Sequence, residues 1–465
     1  MQSKLANLAR QCAWLMGTLY SLGANAQFSV VKLEGQFIIE TTNQSLLTFD
    51  QSANHVRTYD LNGKLLADKQ VTGPLWLTST PTRALGNMWL SGSMLFDNDF
   101  NLSQSLYQTA AGTNKTCADG SELKLAEDMY SYDLNVRNNK YVLTSKQGLT
   151  FFDRDWNCLK RVKIQAWKPG GNGSFRASGR APAQLNGSND VLYMVDDYVH
   201  YIFDAEGNFA FVGQLGPQGL QAADLNRPLR YGMEISTPRR MADGSVLMTR
   251  SAEEFLVVQS MTRTGQLRQP VTIHGPFINT SYNLKIHEEE DRSLTLTYSE
   301  WVLRFDASGN YLGSRKFSSP VVAASSNNAG QLLVKLMTEG SGAGSFYEPF
   351  VWLDNTLTPI KSFAFNTLFS ASNLMGWGSG YLIGSYSEVI GSNNQHYPAV
   401  INAQQESYVQ LGVRIPEACS GSFCQVQSLS LEHVFLPNGR KTHLFKSYPD
   451  VVQRDSEGLL YLAVY

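Results

Sequence analysis

The sequence predicts an all-β fold built from repeated antiparallel units, and three observations predict it. A short corner, typified by Phe305-Asp306-Ala307-Ser308-Gly309-Asn310, recurs at intervals of about 50 residues, the mark of a repeat architecture. The stretches before each corner alternate with a period of two, as in Val191 to Asp196, which suits strands. Long helical periodicity is missing, and the one candidate, residues 121–132, is short.

The corner defines the unit. Its aspartate stands at Asp60, Asp97, Asp153, Asp204, Asp306 and Asp354, with degenerate copies at 260–266 and 400–406, eight copies in all. Around each copy the chain reads as a strand, a polar turn, a second strand ending at the corner, and a third strand beyond it. Successive hairpins of this size are what a β-propeller blade requires, at about four strands per blade. The expectation is a propeller of about eight such blades, with seven as the alternative. The last segment, 456–465, is a strand with no partner hairpin after it. Pairing it with the N-terminal stretch 28–42 would close the ring and remove its open edge. The rival is an outer-membrane β-barrel, since Leu459, Tyr461, Ala463 and Tyr465 alternate and end on an aromatic. The 50-residue period and the repeated corner are not barrel features.

The corner following strand–turn–strand resembles the blades of the broad β-propeller superfamily, which includes quinoprotein-like, NHL-like and Trp-Asp-repeat-like proteins. The resemblance covers about residues 46 to 410 and implies a fold, not an activity. The Gly-His and Trp-Asp signatures of Trp-Asp repeats do not occur.

The first residues carry a separate signal. Lys4 and Arg10 precede an apolar run from Cys12 to Gly23, and Ala24-Asn25-Ala26 supplies a small-x-small cleavage pattern. Residues 1–26 are therefore expected to be a signal peptide, leaving 27–465 as a single propeller domain, exported to the periplasm or the cell exterior. The apolar run falls short of the roughly 18 residues that span a bilayer, and no later stretch reads as a transmembrane helix. Basic and acidic residues number 38 and 40, a net charge of −2, which gives no electrostatic reason to expect nucleic acid as a partner. Cys117, Cys158, Cys419 and Cys424 lie beyond the expected cleavage point. An even number in an exported chain favours disulfides, and the natural pairing joins Cys117 to Cys158 and Cys419 to Cys424.

Asp97-x-Asp99-x-Asn101 and Asp153-x-Asp155-x-Asn157 place oxygens at alternate positions, as a calcium loop does. The sixth positions are Leu102 and Cys158 where such a loop wants glycine, and the twelfth are Gln108 and Ile164 where it wants glutamate. Turn chemistry explains all copies: an aspartate at the first position accepts bonds from backbone N–H groups two residues on. No metal and no cofactor are expected. No G-x-S-x-G or H-E-x-x-H occurs, and the seven histidines are scattered. The carboxylates of His287-Glu288-Glu289-Glu290-Asp291 could attract a cation, or form a solvated loop.

Arginines supply the one candidate site. Arg227, Arg230, Arg239 and Arg240 cluster with Tyr231, and Arg176 and Arg180 lie in a nearby loop. Loops between blades line a propeller's faces, so these side chains could converge on an acidic glycan or a carboxylate-rich partner. The expected function is that of a non-catalytic exported propeller binding a protein or polysaccharide through face loops. The alternative is a carbohydrate-active or lyase-type propeller enzyme, whose site is assembled from single residues on several blades. Catalytic residues cannot be assigned from the sequence.

Overall fold

A computed structural model describes the strands and connecting turns between residues 29 and 464. Segments 1–28, 72–81, 106–114, 124–132, 164–190, 223–234, 278–283, 338–348, 365–374, 411–428 and 448–458, and stretches of one to five residues between strands, lie outside that description. Among the described residues the only helical element is a 3-10 turn at Leu85–Asn87. Of the expected helical candidate, Glu122–Leu123 form a strand instead, in a two-stranded hairpin with Lys115–Thr116.

The strands group into separate antiparallel sheets, nine of them with four or more strands among the described residues, and not into one barrel sheet. We number them in chain order. Sheet 1 comprises Phe37–Thr41, Ser45–Asp50, His55–Asp60 and Leu65–Gln70. Sheets 2, 3 and 4 follow within 82–105, 133–163 and 191–222. Sheet 5 has a divided first strand (Ile235–Ser236 and Arg239–Arg240), then Val246–Ser251, Phe255–Met261 and Val271–His274. Sheet 6 is Lys285–Glu288, Leu294–Tyr298, Trp301–Phe305 and Tyr311–Lys316. Sheet 7 is Val321–Ser326, Leu332–Leu336, Phe350–Leu353 and Pro359–Phe363. Sheet 8 lies within 375–410.

Sheet 9 closes the ring. Leu429–Phe435, Lys441–Ser447 and Leu459–Val464 are followed in the sheet by Ser29–Leu33, with Ser29 opposite Val464 and Leu33 opposite Leu460. The fold is a β-propeller closed by its two terminal strands, as expected from a last strand with no partner hairpin after it. Glu34, next in the chain, ties this sheet to the first. Its N–H donates to Tyr59 Oη at 2.9 Å, and its carbonyl accepts from Tyr59 Oη and Thr48 Oγ1, each at 3.1 Å.

The described sheets outnumber the expected eight units by one, and the topology explains why. The corner joins the third strand to the fourth, as at Asp60, Asp97, Asp153, Asp306 and Asp354. In sheet 9 those two strands come from opposite ends of the sequence, so no corner records it. Sheet 4 departs differently: its corner at Asp204 follows the second described strand, and a short extra strand, Gly219–Ala222, pairs beyond it.

The core lies between consecutive sheets. Phe49 and Val56 of sheet 1 pack with Trp89 and Phe96 of sheet 2. Leu90 and Leu95 meet Tyr141, Leu143 and Phe152 of sheet 3. Leu247, Leu256 and Val258 of sheet 5 meet Leu296, Leu303 and Phe305 of sheet 6, and Val302 meets Ala324 and Val334 of sheet 7. Middle strands are buried along their length, as Val246–Ser251 and Leu294–Tyr298 are. Fourth strands such as Leu65–Gln70 are exposed and form the rim. First strands link to one another: Arg239 reaches Ile286 and Glu288, and Lys285 Nζ donates to the Val322 carbonyl at 2.8 Å.

Candidate binding cleft

The corners prove to be turn chemistry. Asp97 Oδ1 accepts from the N–H groups of Asp99 and Asn101, both at 2.8 Å, while Oδ2 accepts from Asn101 Nδ2 at 3.0 Å. Asp153 and Asp306 repeat the pattern with Asp155/Asn157 and Ser308/Asn310. Both carboxylate oxygens are thus spent inside the turn. The Asn101 side chain leads in holding the Asp97 carboxyl below its ordinary pKa. At Asp306 burial pushes the carboxyl up, but Asn310, the backbone N–H groups and the charge of Arg268 outweigh it. Among the described residues no group of three or more His, Cys, Asp or Glu side chains forms a metal-ligand set.

The corners also join sheets, which the sequence reading did not anticipate. In four places a cation from one sheet reaches the corner of the next. Lys69 pairs with Asp99, Lys160 Nζ with Asn208 Oδ1, Arg268 Nη1 with the Ser308 carbonyl, and Arg315 Nη1 with the Leu357 carbonyl at 2.8 Å. The signal was present as a Lys or Arg six to nine residues after the start of a corner, but nothing local said what it touched.

One of these joints opens into a cleft of about 420 Å³ between sheets 5 and 6 at the rim. Val258, Val271, Pro270 and Phe305 form its apolar wall, and Arg268, Gln269, Asn310 and Tyr311 its polar edge. Arg268 is held in place: Nη1 also donates to Ser260 Oγ at 3.2 Å, and its carbonyl accepts from Gln259 Nε2 at 2.7 Å. Ser260 Oγ donates to the Gly309 carbonyl at 2.9 Å. Tyr311 is 44 % exposed, its ring centroid 5.6 Å from that of Phe305 and its hydroxyl donating to Ser314 Oγ. An apolar wall with a few fixed polar groups is the usual make-up of a ligand site.

Around the rim a second pattern recurs. Leu65, Leu66, Leu102, Leu267, Tyr311, Leu312 and Ile360 are the large exposed apolar residues among those described, and each lies within two positions after a corner.

Of the sequence-predicted site residues, Arg239 donates to Glu288 Oε2 at 2.8 Å and to the Ile286 carbonyl at 3.3 Å. Arg240 lies in the same short strand, opposite Val246. Arg176, Arg180, Arg227, Arg230 and Tyr231 lie outside the described residues, as do Cys419 and Cys424. The Cys117–Cys158 disulfide forms as expected, tying the hairpin between sheets 2 and 3 to the fourth strand of sheet 3. The described carboxylates of 287–291 do not gather around one point. Glu288 pairs with Arg239 and Arg292, Glu289 is buried, and Asp291 accepts from Ser293.

No family model and no curated protein matches the chain. Solved structures similar to it include a streptogramin B lyase, with 12% identity over 72% of this chain and 94% of that one and a TM-score of 0.32. The WD40 domain of SCAP from fission yeast has 10% identity over 94% and 98%, TM-score 0.33. The Neurospora crassa Pan2 WD40 domain has 9% over 71% and 88%, TM-score 0.31. Strand pairing and closure define the propeller fold.

Proposed function

We propose that the protein is exported, loses residues 1–26, and serves as a propeller that binds a protein partner. The carrying observation is the recurrence of exposed Leu, Ile and Tyr side chains beside successive corners, continuous at sheet 6 with the cleft. Exposed apolar residues scattered singly need no explanation, whereas a repeated apolar rim is the surface a partner would cover. Arg176, Arg180, Arg227, Arg230 and Tyr231, outside the described residues, stay in this reading as candidates from the sequence alone. A polysaccharide is the second reading, favoured by the half-exposed Tyr311 beside Arg268, Gln269 and Asn310.

The test uses the mature protein immobilised and exposed to an envelope extract and to acidic polysaccharides from the source cells. Tyr311→Asp combined with Leu312→Asp should lower retention of the partner more than tenfold while the circular dichroism stays unchanged. Unchanged retention would remove the rim from the interface. N-terminal sequencing of exported material should begin at Gln27; recovery of residues 1–26 on it would contradict export by cleavage.

A further inference from the structure

The interface between sheets 6 and 7 buries charge without neutralising every atom of it. Glu289, at the turn after the first strand of sheet 6, is fully buried. Its Oε2 accepts from Ser325 Oγ and from the Ser326 N–H of sheet 7, each at 3.0 Å. Its Oε1 has no hydrogen-bond partner, and neither do Thr295 Oγ1 and Arg304 Nε, which are also buried.

Register places the three residues on one face of sheet 6. The Glu289 N–H bonds the Ser293 carbonyl across the turn, and Thr295 stands directly opposite Arg304. Residues opposite one another share a face of a sheet, as do residues two apart along a strand. Glu289, Ser293, Thr295 and Arg304 therefore stand on one face. That face meets sheet 7: Arg304 Nη1 donates to the Gly330 carbonyl at 3.3 Å, and Nη2 reaches Ser293 Oγ at 3.4 Å.

The three atoms are an acceptor, a donor, and a hydroxyl that serves as either. A cation is disfavoured by the guanidinium and cannot use its N–H. An anion is disfavoured by the carboxylate, and an apolar occupant satisfies none of the three. What remains is a small neutral species that both donates and accepts. Polar groups buried this deeply are satisfied by ordered water when protein partners do not reach them.

We propose that the joint between sheets 6 and 7 encloses a bound water that accepts from Arg304 Nε, donates to Glu289 Oε1 and shares a bond with Thr295 Oγ1. The acidic stretch that looks like a cation attractor in sequence is then a wet hinge-pin between two blades.

A crystal structure of the mature protein at about 1.6 Å tests this. Ordered solvent within hydrogen-bond distance (about 3.2 Å) of both Glu289 Oε1 and Arg304 Nε is expected. A direct contact between those two atoms, or a metal at ligand distance from Oε1, would overturn it. A hydrogen-exchange cycle gives an independent readout in the peptide containing Ser326. Thr295→Val and Arg304→Lys, which removes the Nε donor and keeps the charge, should each lower its protection about tenfold, the worth of one ordinary hydrogen bond. The double variant should lose little more than either single one, because both act through the same water. A loss of about a hundredfold in the double variant, the product of independent effects, would contradict the bridge.

Discussion

Trp156 holds φ at 65°, in the left-handed region where the corners of sheets 1, 5 and 6 place Gly63, Gly265 and Gly309. Phe100 and Leu357 do the same in sheets 2 and 7. A non-glycine residue there costs roughly 1–2 kcal/mol, and burial offsets it. Trp156 stacks on Tyr141 with centroids 4.4 Å apart and planes at 5°, and Phe100 stacks on Trp89. Removing a buried aromatic costs about 3–5 kcal/mol. Trp156→Gly should therefore destabilise by about 2 kcal/mol on balance, read from urea denaturation. A stabilised variant would mean that strain, not packing, dominates the site.

His200 is the other telling residue. It is fully buried, and desolvation first, then the charge of Arg250, lowers its pKa to about 3. Such a histidine stays neutral when folded and takes up a proton when unfolded. Its effect is nil above the unfolded value near 6.5 and becomes destabilising as pH falls towards 3. The contribution is about 1.4 kcal/mol per pH unit across that window. Between pH 6.5 and 5 the stability of wild type should fall more steeply than that of His200→Gln, by about that slope. Parallel curves in urea midpoints would show that His200 is protonated in the fold.

At the scale of the element, the corner is both a turn and a joint. Gly309 combines φ 80° with a backbone so close to sheet 5 that an added Cβ would lie 2.9 Å from Ser260 Cβ. Gly309→Ala should cost about 2 kcal/mol or more, from conformational strain plus displacement of Ser260 and Arg268. Gly120, also left-handed but with open space around it, is the control, and Gly120→Ala should cost only the conformational share. Equal losses at the two positions would dismiss the joint.

The corner also marks how far the sequence could be read. Asp97, Asp153 and Asp306 announce their turns because the bonds they make are local, to residues two and four ahead. The second, third and fourth strands were legible from their alternation. Three of the first strands were not, because Thr82–Arg83, Arg239–Arg240 and Met375–Gly376 are too short to show a period. Arg268 and Ser260 were invisible as a cleft edge, since each acquires its role from a corner about 40 to 50 residues away. Glu289 read as one of a run of carboxylates, and only cross-sheet packing sets it apart from Glu288.

For the whole molecule, the ring stands on the pairing of two terminal strands, one from each end of the described chain. The first strands of sheets 5, 6 and 7 are linked to one another, and the exposed apolar residues that follow the corners lie along the rim. The pairing can be measured directly. Val31 lies opposite Leu462, so cysteines at Val31→Cys and Leu462→Cys share one face of the sheet at a separation a disulfide spans. Oxidation of that double variant should give an intramolecular crosslink in monomeric protein, with Cys117–Cys158 undisturbed. Val31→Cys with Tyr461→Cys, one residue out of register, should not crosslink. Failure of the first pair, or equal crosslinking of both, would contradict a ring closed by Ser29–Leu33 on Leu459–Val464.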